Sequence, residues 1–238
     1  MTSRKKQTDM LWLAQKIVEA YEDYGFVSAV IFGPQGTGKT TYAFKVMRDV
    51  YWKLNNLETK DQAWDVVKRY YFFELPEALE LIYEAQERDI RIPVLLFDDA
   101  GIWLSKYNWY EDYMKVFYKI FALIRTRVSA VIFTTPSPED LAFFLREKGW
   151  FQIKIVWANK KDRIAQAKLY KKVFERDSKG NIVTKAKYKA LDQFKVDLPD
   201  SFRAEYLEKR KATERKLLEE LREILASYTQ KEAVAQTS

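Results

Sequence analysis

Residues Gly33 to Thr40 read GPQGTGKT, the phosphate-binding loop pattern G-x-x-x-x-G-K-[ST], matched at Gly33, Gly38, Lys39 and Thr40. The run before it, Phe26 to Phe32 (FVSAVIF), is apolar and partly β-branched, as a buried parallel strand requires. The run after it, Thr41 to Leu54, holds no Gly or Pro and suits a helix. A loop with little side chain, set between strand and helix, lets backbone N–H groups approach a polyphosphate. The helix N-terminus adds the positive end of its dipole. The loop residues Gly33, Pro34, Gln35, Gly36, Thr37, Gly38, Lys39, Thr40 and Thr41 are therefore the candidate ATP-binding set. Lys39 is expected to reach the β- and γ-phosphates, and the Thr40 hydroxyl to ligate Mg²⁺.

Working outward, a second motif stands at Val94 to Asp99 (VLLFDD), four apolar residues ending in two acids. In a strand beside the loop, Asp98 is the expected Mg²⁺ residue and Asp99 the carboxylate that activates the attacking water. A third run, Val131 to Thr135 (VIFTT), ends in two threonines. Thr134 or Thr135 could hold the water between the γ-phosphate and the acids, and strand alternation points one of them inward. Among arginines, Arg146 is the candidate for charge on the transferred phosphoryl group, with Arg125 and Arg127 as alternatives. Glu74 is a rival acid, although Pro76 beside it favours a helix-start role.

Alternation of apolar strands and helical segments continues through the first two-thirds of the chain. It predicts strands at 27–32, 70–73, 94–98, 130–134 and 152–157, and helices at 38–54, 76–88, 110–125 and 138–148. An amphipathic helix is expected from Asp9 to Tyr24, with Leu13, Ile17, Ala20 and Tyr24 on one face and Gly25 as its stop. The basic-then-apolar start resembles a signal peptide, but Lys16 and Glu19 interrupt it and no small-residue cleavage site follows. After Trp157 the pattern changes. Two strand-like runs, 164–174 and 182–191, flank the turn-rich Asp177 to Asn181, and a charged helix follows Pro199 with a stripe of Leu217, Leu221, Ile224 and Tyr228. The last residues, KEAVAQTS, read as a frayed tail. The expected domains are 1–158, a phosphate-loop ATPase domain with the N-terminal helix, and 159–238, a basic ribbon with the C-terminal helix.

The chain of 238 residues contains no Cys and no His. Disulfides, thiol nucleophiles, the usual zinc sites and histidine acid–base chemistry are excluded; catalysis must use carboxylates, Lys, Arg, hydroxyls or a metal. Missing thiols, few glycines and many Lys and Glu suit a hot environment. No apolar run approaches the roughly 18 residues of a membrane span, so no membrane partner and a cytoplasmic location are expected.

The net charge of +7 is uneven: residues 160–195 hold 12 Lys or Arg against 4 Asp or Glu, whereas residues 1–159 hold 21 against 21. Lys185, Lys187 and Lys189 alternate with Ala186, Tyr188 and Ala190, so a strand would put the lysines on one face. Lys168, Lys171, Lys172 and Arg176 add charge on the facing strand. Such a ribbon can track a nucleic-acid backbone, with Tyr170 and Tyr188 placed to stack on unpaired bases; lysines on an edge strand also deter aggregation. The aromatic stretch Trp103 to Tyr118 reads mainly as core packing.

GPQGTGKT, LLFDDAG and VIFTTPSPEDLAFFLRE together resemble the additional-strand ATPase division, and most of all the AAA+ initiator and helicase-loader group, across about residues 25–157. DDAGIWLSKYNWYE is similar to small ATPases of archaeal plasmids and viruses. The resemblance implies an α/β three-layer sandwich with a five-stranded parallel sheet of order 5-1-4-3-2. It also implies ATP hydrolysis between subunits of a homo-oligomer, with DNA or a DNA-bound protein as partner. Two departures stand out. Pro136 occupies the position of the family's sensor asparagine, so that role falls to a threonine. No helical lid follows the fifth strand; the ribbon and charged helix take its place. The expected activity is Mg²⁺-dependent ATP hydrolysis coupled to DNA binding, loading, remodelling or translocation. The alternatives are a nucleotide switch that recruits a protein and a genome-packaging translocase.

Overall fold

The computed structural model describes residues 9–105, 107 and 112–236. The chain divides into two compact units at the Asp197–Leu198 junction. In the first, α1 (Trp12–Glu22), β1 (Val27–Phe32), α2 (Lys39–Leu54), α3 (Ala63–Val67), β2 (Tyr71–Phe72), α4 (Leu75–Glu87) and β3 (Leu95–Phe97) come first. They are followed by α5 (Asp112–Leu123), β4 (Ala130–Thr135), α6 (Phe143–Lys148), β5 (Phe151–Asn159), β6 (Ile164–Arg176) and β7 (Ile182–Lys195). The second unit carries α7 (Asp200–Gln236).

All the strands belong to one seven-stranded sheet of order β2-β3-β4-β1-β5-β6-β7. The pairs from β2 to β5 are parallel, and β6 and β7 are added antiparallel. The expectation of a five-stranded parallel sheet with a separate ribbon is thus corrected. Its strand order is present, but the ribbon's backbone groups pair with the outer strand β5, which closes an edge that would otherwise be open. Central β4 is buried on both faces, as is β1 up to Phe32, which explains their continuous apolar sequence. Helices α1 and α2 lie against β1 and β4 on one side. On the other, Val30, Phe97 and Phe133 join Leu75 of α4, Phe117 of α5 and Leu145 of α6 in one core. Phe97 and Phe133 stack at 5.6 Å between ring centroids.

Several expected elements shift. The buried face of α1 is Leu13, Ala14, Ile17 and Val18, whereas Tyr24 is 78 % exposed. The helix ends at Glu22, so the period breaks before Tyr24. The segment after β4 opens as a 3-10 turn, Pro138–Asp140, capped reciprocally by Ser137 and Asp140, before α6 begins at Phe143. The short helix α3 was not expected; its five residues are below the length at which periodicity is legible. Part of the expected helix 110–125 and of the aromatic stretch, namely 106 and 108–111, lies outside the described residues, as does the end of the tail, 237–238. In α7, of the expected stripe, Leu217 is partly buried and Leu221 and Ile224 are half exposed; the side chain of Tyr228 lies outside the described residues.

The ribbon turns where its sequence requires. The Asp177 carboxylate accepts from the N–H groups of Lys179 and Asn181, and Gly180 takes φ 83°. The β6–β7 register slips between Leu169 and Tyr170, and Lys189 is the extra residue of that bulge.

Candidate functional site

The loop from Gly33 to Lys39 leaves the carboxyl end of β1 and enters α2. Gly33, Gly36 and Gly38 have φ values of 144°, 73° and 95°, in the region L side chains avoid. A Cβ on Gly33 would lie 2.6 Å from the Ile155 carbonyl oxygen of β5, and one on Gly38 would lie 2.8 Å from Cγ2 of Val196. Gly36 has open space around it, so only its backbone angle demands glycine. Pro34, Gln35 and Gly36 form an exposed crest. The Lys39 ammonium, on a side chain nearly buried, donates to the Pro34 carbonyl at 3.1 Å, and the Thr37 hydroxyl donates to the same oxygen at 2.8 Å. Thr41 follows in the first turn of α2, half-buried.

Asp98, fully buried at the end of β3, is the junction of the site. Its Oδ1 accepts from the Thr40 hydroxyl at 2.8 Å and from the Thr134 hydroxyl at 2.5 Å. Thr134 in turn accepts from the Asp99 N–H at 2.9 Å. Asp99 has φ 50°, a left-handed conformation that costs a non-glycine residue about 1–2 kcal/mol. Strain of that kind concentrates at functional positions. The loop, the end of β3 and the end of β4 are therefore joined through one carboxylate oxygen.

The two threonines part company here. Thr135 turns the other way: its hydroxyl donates to the Ser137 carbonyl at 2.9 Å and lies 3.4 Å from Asp140 Oδ2, fastening the turn that follows β4. Arg146 pairs with Glu139 and stacks over Phe143, within its own segment. Arg127 is tied to Asp89 and Gln86, and the Arg125 carbonyl accepts from Arg91. Glu74 occupies the N-cap position of α4, with Pro76 in the first turn.

Thr40 and Asp98 offer hard oxygen donors within hydrogen-bond distance beside the loop, a set that fits Mg²⁺. Such an ion is commonly held by one or two protein oxygens, with phosphates and water filling the other positions. No group of three or more acidic ligands exists among the described residues, and this mode of binding requires none.

The ribbon lysines do not share one face. Direct cross-strand partners lie on the same side of a sheet. Lys171 faces Lys187, and Lys185 faces Val173, on the side where Glu175 pairs with both Lys185 and Lys187. Lys168 and Lys172 lie on the opposite side, and the bulge takes Lys189 out of the alternation. The expectation of a single lysine face fails because the bulge is invisible in the sequence. Lys172 also has a structural use: its ammonium donates to the Arg146 carbonyl at 2.7 Å at the end of α6, and burial lowers its pKa.

Sequence reading missed two carboxylates that anchor this region, Asp49 and Asp192. Leu11 gives α1 no side-chain cap, and two remote carboxylates replace it. Asp49 of α2 accepts from the Leu11 N–H at 2.9 Å. Asp192 of β7 accepts from the Trp12 N–H at 3.0 Å and from the Tyr42 hydroxyl at 2.6 Å. Burial raises the pKa of Asp192 and, more strongly, that of Tyr42. An acid at an inward strand position was the signal available. Below this cap opens a cleft of about 1250 Å³ lined by Trp12, Lys45, Asp49, Asp192 and Lys195 among others.

The chain is an α/β protein in which a glycine loop joins a parallel strand to a helix and the threonine after it is bonded to a strand-end aspartate. The chain belongs to the family of the uncharacterized protein B-251 of Sulfolobus spindle-shape virus 1, with 47% identity over 225 residues, 94% of this chain and 89% of that protein. The uncharacterized protein ORF286 of Acidianus two-tailed virus is 26% identical over 163 residues, 67% of this chain and 53% of that one. No protein-family profile matches. The solved N-terminal domain of zonular occludens toxin from Neisseria meningitidis aligns at 13% identity and TM-score 0.32, over 70% of this chain and 95% of that domain. Among the described residues, no helix is long and apolar enough to cross a membrane.

Proposed function

We propose that the chain is a Mg²⁺-dependent ATP hydrolase of an archaeal virus, working as a homo-oligomer on DNA or a DNA-bound protein during replication or maintenance of the viral genome. The observation that carries this reading is the single Asp98 oxygen shared by Thr40 and Thr134 beside a complete phosphate loop. In it, the loop amides and Lys39 bind the phosphates of ATP. Thr40 and Asp98 would hold Mg²⁺, which would supply positive charge to the transferred phosphate. Asp99 orients water and takes its proton, and Thr134 fixes Asp98 and the Asp99 backbone in place. Local basicity in the ribbon supports nucleic acid as partner. Arg146, on the segment after β4, is the candidate to meet a neighbouring subunit's nucleotide.

Phosphate release by wild type and Asp99→Asn, alongside ATP affinity, tests the reading. The variant should bind ATP normally and hydrolyse it at least a hundredfold more slowly. Equal rates would overturn the assignment, and a wild type that binds ATP without turnover would leave the nucleotide switch as the better account. Adding DNA oligonucleotides to the same assay examines coupling; a rate indifferent to DNA would remove that half.

A further inference from the structure

The β5–β6–β7 register sorts the ribbon into two unlike faces. Glu175 and Asp192, the two carboxylates carried by these three strands, lie on the face that packs toward α1 and α2. The opposite face carries no carboxylate of these strands; from neighbouring segments Glu147 reaches Lys172 at 3.9 Å and Asp197 reaches Lys195 at 3.6 Å. It carries Lys154, Lys168, Lys172, Arg176 and Lys195, placed there by the pairs Lys154↔Lys168, Ile164↔Lys195 and Arg176↔Ile182. Set among these cations are Tyr170 and Tyr188, directly opposed with ring centroids 5.8 Å apart, and Phe174. Tyr188 and Phe174 are 57% and 63% exposed, and no residue of this face is buried. The thirteen residues of β6 make a surface about 40 Å long.

We propose that this face, and not the face bearing Lys185 and Lys187, is a platform for a single-stranded polynucleotide. The inference deepens the proposed function by naming its nucleic-acid partner and where it lies. Lys154, Lys168 and Arg176 stand where the strands themselves supply no acid and so attract a polyanion, whereas Glu175 pairs with both Lys185 and Lys187 and neutralises part of the charge of the other face. Exposed aromatic rings beside those cations favour unpaired bases over a duplex, whose bases are already stacked. A second protein chain would more often be met by an apolar patch with a polar rim than by aromatics scattered among cations.

The test uses the full chain and fluorescence anisotropy with three labelled probes of about 30 nucleotides: oligothymidine, oligouridine and a mixed-sequence duplex. Tight binding to either single strand supports the platform, and the preferred one identifies DNA or RNA as the source. Tyr188→Ala and Phe174→Ala, both at exposed positions, should each weaken single-strand binding about 5- to 100-fold. Lys168→Ala should lower the salt slope by about 0.7. The opposite-face double variant Lys185→Ala/Lys187→Ala should stay within about twofold of wild type. The proposal is overturned by stronger binding to the duplex, by no binding at low salt, or by loss in the double variant with none in Tyr188→Ala. It is overturned equally if Tyr188→Ala changes only the mass in solution, which would make the face a contact between copies. Wild-type phosphate release, measured against Lys39→Ala as the hydrolysis-dead control, separates the two readings. A wild type that binds single strands but releases no more phosphate than Lys39→Ala refutes the ATPase and keeps the platform; the converse keeps the ATPase and refutes the platform.

Discussion

The Thr134 hydroxyl lies 2.5 Å from Oδ1 of Asp98 and accepts the Asp99 N–H, so one side chain fixes both acids of the second motif. Its neighbour Thr135 reaches neither acid in any bond described above. Thr134→Val should therefore slow ATP hydrolysis about 10- to 100-fold, the loss of a hydrogen bond to a charged group being about 1.5–3 kcal/mol. Thr135→Val should leave the rate within about threefold and cost about 1 kcal/mol of stability. Steady-state phosphate release and urea unfolding check the pair; equal rate losses would contradict the assignment.

Gly38→Ala and Gly36→Ala separate two reasons for a loop glycine. Both positions have positive φ, which costs alanine about 1–2 kcal/mol. Only at Gly38 would the new methyl meet another chain segment, at Val196. Gly38→Ala should lose nucleotide binding and more stability than Gly36→Ala. Titration with a fluorescent ATP analogue and thermal unfolding would show it, and a further Val196→Ala change should restore part of the Gly38→Ala deficit.

Asp49 is 1% exposed and holds the Leu11 N–H together with Arg48 at 2.7 Å and Lys60 at 3.4 Å. Asp49→Ala leaves two cations and a helix start without their acceptor. A loss of about 3 kcal/mol is expected, the lower end for breaking a buried pair. It would appear as a lower urea midpoint at unchanged m-value; a midpoint within experimental error of wild type would refute it.

Asp192 gives a pH signature. Burial raises its folded pKa above the ordinary aspartate value, so between the unfolded and folded values the native state binds more protons than the unfolded one. Stability from this group is therefore greatest below the unfolded pKa and falls as pH rises through the folded one. Asp192→Asn abolishes this titration. The difference in melting temperature, wild type minus variant, should decrease from pH 4 toward pH 7; a difference that grows over that range would reverse the sign.

Much of this was legible because a few residue types are confined to a few geometries. GPQGTGKT between a β-branched run and a helix marks strand, loop and helix together, and Asp98 at a strand end needs only parallel pairing to reach Thr40. The orientation of Thr134 against Thr135 was not legible, since both are buried and the difference is which way the backbone presents each hydroxyl. Nor was the faulted ribbon: one extra residue at Lys189 changes the faces of everything beyond it, and no local residue preference announces it. The Asp192 cap spans 180 residues of sequence, beyond any local pattern.

Val196 leaves no room for a Cβ on Gly38, and Phe194, two residues earlier, meets Tyr42 of α2 at 5.1 Å between ring centroids with the rings tilted by 47°. The far strand of the ribbon thus forms a wall of the nucleotide loop. A fragment cut at residue 158 would discard that wall, so under the proposed function a piece that binds ATP should extend beyond Val196. Were the ribbon to hold a strand as proposed, a tug on that strand would have a short mechanical route to the loop.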